Sequence, residues 1–164
     1  MPRELREIGE GLSQHIPSIK DKLSDHPRTI IHGDYRLDNC FLGSSVNSQS
    51  MVVFDWEFCA IGRGTYDAAT FISEAFSPQQ RRKVETGLLR MYHSRLVENG
   101  IQGYSFEECF LDYRLSILEV FVFWVVVGGY CDWEGDRATV FLHNALDRFN
   151  SAIVDLGCSE LLSI

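Results

Sequence analysis

The chain has 164 residues, 45% of them hydrophobic and 23% charged, which fits one globular domain with its own core and no need of disulfide or metal staples. Its formal net charge of −8 excludes a nucleic-acid binder that works by neutralising phosphates with a basic patch, and it suits a cationic partner. The five cysteines, at 40, 59, 109, 131 and 158, show no C-x-x-C and no zinc spacing, so they are expected to pack mostly as small apolar residues in a reducing compartment. The start, Met1-Pro2-Arg3-Glu4-Leu5-Arg6, runs into polar sequence with no apolar signal segment. The most apolar stretch, Val120 to Val127, is too short to span a bilayer. A cytoplasmic protein without a membrane span is expected.

Leu5, Ile8, Leu12, Ile16, Ile19 and Leu23 recur at helical spacing and predict an amphipathic helix over 4–23. Pro17 lies inside it and predicts a kink or a break; His26-Pro27 closes the segment. Thr29-Ile30-Ile31 opens a region of short strands and loops, with Cys40-Phe41-Leu42 and Met51-Val52-Val53-Phe54 the clearest strands. Residues 43–50 between them are small and polar, as a surface connection should be. From Asp67 onward the pattern is helical. Ser77-Pro78-Gln79-Gln80 is a capping box with proline in the first turn, followed by a stripe of Val84, Leu88, Met91, Tyr92 and Leu96 expected to be buried, and by the stop Asn99-Gly100. Ser105-Phe106-Glu107-Glu108 is a second capping box, opening a helix to Gly128-Gly129 whose second half is apolar nearly all round and should be central. Leu142, Ala145, Leu146, Phe149, Ile153 and Leu156 mark a last amphipathic helix.

The chemistry concentrates in His32-Gly33-Asp34-Tyr35-Arg36-Leu37-Asp38-Asn39 and Asp55-Trp56-Glu57. Asn39 lies just before one strand and Asp55 just after the next. A hairpin turning near Asn47 brings both to its open end, on strands about 5 Å apart, where an amide oxygen and a carboxylate suit a magnesium ion shared with substrate phosphates. Asp34 precedes Asn39 by five positions, the aspartate-x4-asparagine spacing of a kinase catalytic loop in which the aspartate receives the proton of the attacking hydroxyl.

These residues, with Phe54-Asp55-Trp56-Glu57 and Tyr66-Asp67-Ala68-Ala69, closely resemble the aminoglycoside phosphotransferase superfamily, which includes choline and ethanolamine kinases and the ecdysteroid-kinase-like proteins. The resemblance is sharp from Ile30 to Ala75 and looser over the later helices, where 92–96 and 104–108 look like the ecdysteroid-kinase-like branch. It implies an α+β, mostly α, protein-kinase-like C-terminal lobe in one domain, 1–164. A helical segment at 1–27, catalytic and metal-binding loops on short strands at 28–66, and a helical subdomain at 67–164 make up that domain. It implies an ATP-dependent kinase acting on a hydroxyl of a small molecule, with Asp34 as catalytic base, Asn39 and Asp55 as magnesium ligands and Asp67 bracing the loop. Gly33 stands where protein kinases carry an arginine that reads an activation-loop phosphate, so control by such phosphorylation is not expected.

Other readings stay local. His32 is expected to be a packed, hydrogen-bonded residue shaping the loop, Glu57 a polar loop residue, and Cys40 and Cys59 buried spacers. Tyr130, Asp132, Trp133, Glu134 and Asp136 either cradle an ammonium group or form a helix-to-helix turn with a capping aspartate.

Kinases of this kind carry a β-rich lobe with a phosphate-covering loop and a lysine ahead of the catalytic loop. Here 31 residues precede His32, and they read as a helix, with no G-x-G-x-x-G. The expectation is a truncated catalytic lobe taking Mg·ATP and an alcohol acceptor. Its exposed apolar surface would invite self-association or a partner chain. The alternative is a non-catalytic scaffold derived from such a kinase.

Overall fold

A computed structural model describes residues 3–43, 51–133 and 135–162, with side chains from Gly11 onward. The elements in order are α1 (Arg3–Ser24), β1 (Thr29–Ile31), a 3-10 turn (Leu37–Asn39), β2 (Cys40–Leu42), β3 (Met51–Val53), β4 (Ala60–Gly62), α2 (Thr65–Ala75), α3 (Pro78–Glu98), α4 (Phe106–Tyr130), α5 (Asp136–Asp155) and a last 3-10 turn (Cys158–Leu162). The chain is mostly helical with two small antiparallel sheets, an α+β fold as expected. β1 pairs with β4, Thr29 opposite Gly62 and Ile31 opposite Ala60. β2 pairs with β3, Cys40 opposite Val53 and Leu42 opposite Met51. The expected turn near Asn47 lies outside the described residues.

α1 runs through Pro17 as one helix and does not break into two shorter ones there, one of the two outcomes expected. Leu12, Ile19 and Leu23 are buried, whereas Pro17 falls on the exposed face. There, a carbonyl deprived of its helical partner can turn to water, and the buried stripe holds the helix whole. Both capping boxes form: Ser77 Oγ accepts from Gln80 N–H at 3.4 Å while Ser77 N–H donates to Gln80 Oε1 at 3.1 Å. Ser105 and Glu108 repeat the pattern at 3.1 and 2.7 Å.

α4 is the central helix, burying Tyr113, Leu115, Ile117, Leu118, Val120 and Trp124 against α1, α2, α3 and α5. No described helix is long and apolar enough to cross a membrane. Of the stripe expected on α3, Val84, Leu88, Tyr92 and Leu96 are half-buried but Met91 is 56% exposed, and the fully buried positions are Arg81, Glu85 and Leu89. Arg81 Nη1 donates to Glu85 Oε2 at 2.7 Å, its other terminal nitrogen pairs with Asp155, and Tyr113 Oη donates to Glu85 Oε1 at 2.8 Å. Charge burial is tolerated here because both charges are paired within one network that draws on α3, α4 and α5.

Candidate functional site

The loop between β1 and β2 is shaped by one glycine and one distant carboxylate. Gly33 has φ +84°, and a Cβ on it would sit 2.3 Å from the Phe58 carbonyl oxygen. Only glycine fits so close an approach in that conformation. Asp67, in the first turn of α2, accepts the main-chain N–H of His32 at 2.7 Å and of Gly33 at 3.0 Å. Burial pushes the Asp67 carboxyl above its ordinary value, and the two N–H bonds oppose that shift without reversing it.

His32 is 2% exposed. Its Nε2 bonds the Phe54 carbonyl at 2.8 Å, which makes Nε2–H the donor and leaves Nδ1 to accept the Asp34 N–H at 3.3 Å. The ring therefore ties the loop to the end of β3 by hydrogen bonds at both of its nitrogens, the shaping role expected of it.

Asn39 closes the 3-10 turn and is buried. Its Nδ2 donates to the Asp34 carbonyl at 2.9 Å and to Asp34 Oδ2 at 2.8 Å. Its own carbonyl accepts the Phe54 N–H at 3.1 Å, which extends the β2–β3 ladder by one rung and sets Asp55 just beyond it. Asp55 has φ +65°, the one positive φ among described non-glycine residues, a conformation aspartate tolerates better than most. Its side chain is exposed rather than turned into the helical core. Asp34 and Asn39 are thus in direct contact, and Asp55 adjoins them through Phe54. No cluster of three or more His, Cys, Asp or Glu suited to a metal occurs among the described residues. A magnesium ion completed by substrate phosphates needs only one or two protein oxygens. In kind, the Asn39 amide oxygen and the Asp55 carboxylate are the hard oxygen donors such an ion takes.

The family model for APH, the phosphotransferase enzyme family, matches residues 3–106, a span that runs from α1 through this whole loop system. The chain belongs to the phosphotransferase enzyme family. Comparisons with curated proteins and with solved structures gave no match.

Three residues near the site carried no role in the sequence reading. Arg36, inside the catalytic loop, places Nη2 2.6 Å from Asp38 Oδ2 and Nε 3.8 Å from Glu74 Oε2, with its guanidinium 4.7 Å from the Phe141 ring centre. Glu74, near the end of α2, accepts the Trp124 indole N–H at 3.1 Å on Oε1. Arg148 of α5 donates to the Glu74 main-chain carbonyl. Burial pushes the Glu74 carboxyl up to about 7, against the pull of Arg36. The available signal was spacing: Glu74 follows Asp67 by about two helical turns and so shares its face.

An open cleft of about 590 Å³ lies beside the loop between β1 and β2, lined by Arg36, Asp38, Trp133, Asp136, Arg137 and Phe141. Of the acidic and aromatic cluster singled out in the sequence, only Trp133 and Asp136 reach it, and Glu134 lies outside the described residues. That segment is a helix-to-helix turn, as one reading had it, but no aspartate caps α5: the cap position is Gly135 with no side-chain bond, and Asp136 stands in the first turn. The cysteines divide. Cys109 and Cys158 are buried and Cys40 is half-buried, but Cys59 and Cys131 are exposed, so Cys59 is not the expected buried spacer; it follows the tight Trp56–Cys59 turn on the surface.

Proposed function

We propose that this chain carries the acceptor and magnesium side of an ATP-dependent kinase acting on a hydroxyl of a small molecule. Asp34 is the base and Asn39 and Asp55 are the magnesium ligands. The observation that supports this best is the double hydrogen bond from Asn39 to Asp34 at the open end of the β2–β3 hairpin. That bond fixes the base relative to the amide oxygen, an arrangement a scaffold has no use for. In the transfer, the acceptor oxygen forms a bond to the γ-phosphorus of ATP, the bond from that phosphorus to the bridging oxygen breaks, ADP leaves, and the hydroxyl proton passes to an Asp34 carboxylate oxygen. Magnesium, when bound, offsets charge on the phosphate oxygens. Asp67 and His32 hold the loop so that the base does not have to be ordered at each turnover.

The acceptor enters by the cleft next to Arg36 and Asp38. Its lining offers two aromatic rings and charges of both signs, which favours an alcohol with an apolar or aromatic body over a simple cation. Binding of Mn²⁺·ATP, followed by the rise in water proton relaxation when the complex is immobilised on the protein, tests the reading. Saturable binding should disappear in Asn39→Ala and Asp55→Ala and survive in Asp34→Ala. Equal binding by all four proteins would sink the assignment.

A further inference from the structure

We infer that Glu74, acting through Arg36, is a positioning residue that fixes the turn bearing Asn39 and so sets the metal side of the site. The inference rests on the reading of Asn39 as a metal ligand.

The argument starts at α2. Asp67 and Glu74 are both acidic, both turned to the catalytic loop, and about two helical turns or 10 Å apart along the axis. Asp67 holds the beginning of the loop by its main chain, at His32 and Gly33. Glu74 holds its middle by a side chain, at Arg36. Arg36 is also the residue on which the turn to Asn39 is hung: its carbonyl accepts the Asn39 N–H at 3.0 Å and the Cys40 thiol at 3.3 Å. Swinging Arg36 therefore moves the hydrogen-bonded turn that carries the Asn39 amide.

Glu74 is rigidly placed for the task. Its side chain is 10% exposed, Trp124 of α4 fixes one carboxylate oxygen, and Arg148 of α5 holds its main chain. The charged groups that face it are Arg36 and Asp34 from the loop and Arg148 from α5. Phe141 of α5 backs the guanidinium from its other side. An exposed arginine needs no such enclosure, and its planar fork is what makes the contact directional.

The test uses the same Mn²⁺·ATP binding measurement on Glu74→Gln, Arg36→Gln and the double variant, with Asn39→Ala as reference. Glutamine keeps the shape of Glu74 and can still accept the Trp124 N–H, so only the charge is removed. Each single variant should weaken Mn²⁺ binding by about 10-fold, the lower end for partners that orient metal ligands. The double variant should be no worse than either single one, because the two act as one contact. The wild-type affinity should also weaken as pH falls from 8 to 6, a step that Glu74→Gln lacks. If the single effects multiply in the double variant, or Glu74→Gln binds as wild type while Asn39→Ala does not, the inference is wrong and the magnesium assignment stands. If Asn39→Ala itself binds normally, the magnesium assignment fails first. Should Glu74→Gln not melt cooperatively, Arg36→Gln and its pH profile decide the matter alone.

Discussion

Asp67 receives the His32 main-chain N–H at 2.7 Å from a helix 35 positions further along the chain. With the Gly33 N–H on its second oxygen, this carboxylate satisfies two donors that no strand or helix reaches. Asparagine at 67 has a single acceptor oxygen and would set an N–H against an N–H. Asp67→Asn should cost about 1–3 kcal/mol, the penalty of one partly buried unsatisfied donor, read as a lower urea midpoint. An unchanged midpoint would mean that the loop relaxes to water at no cost.

Gly33→Ala should be worse than Gly64→Ala, although both glycines are crowded. At Gly33 the new methyl meets the main-chain oxygen of Phe58 at 2.3 Å in a left-handed conformation, for a combined cost of about 2–4 kcal/mol. At Gly64 it meets the Tyr92 hydroxyl at 2.4 Å, with no positive φ, and a side-chain end can swing aside. Thermal melting of the two variants side by side gives the ranking, and the reverse order contradicts it.

Asp34→Ala should leave the loop standing, because Asn39 still bonds the Asp34 main-chain carbonyl. In a functioning kinase that contains this chain, turnover should drop by about 10²–10⁴, the usual worth of a general base. The chain by itself should stay below about 1 s⁻¹, the slow end for kinases, since positioning of the nucleotide supplies most of the rate. Steady phosphate transfer by the isolated chain above that level, abolished in Asp34→Ala, would show that these residues include a nucleotide clamp.

Glu74 makes stability depend on pH with a sign opposite to that of a well-paired surface acid. Its carboxyl sits at about 7 in the folded chain against an ordinary 4.5, so the folded state holds the proton more tightly than the unfolded one. The contribution is complete below the ordinary value and is lost as pH rises through about 7, amounting to about 3 kcal/mol. Wild type should therefore lose more stability than Glu74→Gln between pH 5 and pH 8, measured by urea unfolding at each. If Glu74→Gln loses as much, the carboxylate is not held in its neutral form at low pH.

The proposed site was legible as a pattern, because Asp34, Asn39 and Asp55 are joined by one loop and one pair of strands whose geometry is local. The capping boxes were legible for the same reason. What could not be seen were partnerships between distant elements. Arg81 and Glu85 had no place in the expected stripe, since their partners Asp155 and Tyr113 belong to other helices. Arg36 was quoted in the loop without a role, since its partner Glu74 belongs to a later helix and its backing ring, Phe141, to a helix later still. β4 went unmarked, being three residues long and defined only by its pairing with β1.

The two carboxylates that α2 turns to the loop between β1 and β2 make its length a gauge. Residues between Asp67 and Glu74 can be exchanged wherever the buried packing of Ala69, Thr70, Ile72 and Ser73 and the contact of the Phe71 ring with Tyr35 are respected, and the grip on the loop is unaffected. Adding or deleting a single residue there is a different matter: it rotates Glu74 by about 100° relative to Asp67 and releases Arg36 while the helix itself stays intact. Homologous chains that keep an arginine at the position of Arg36 should therefore vary in composition across this stretch but not in its number of residues.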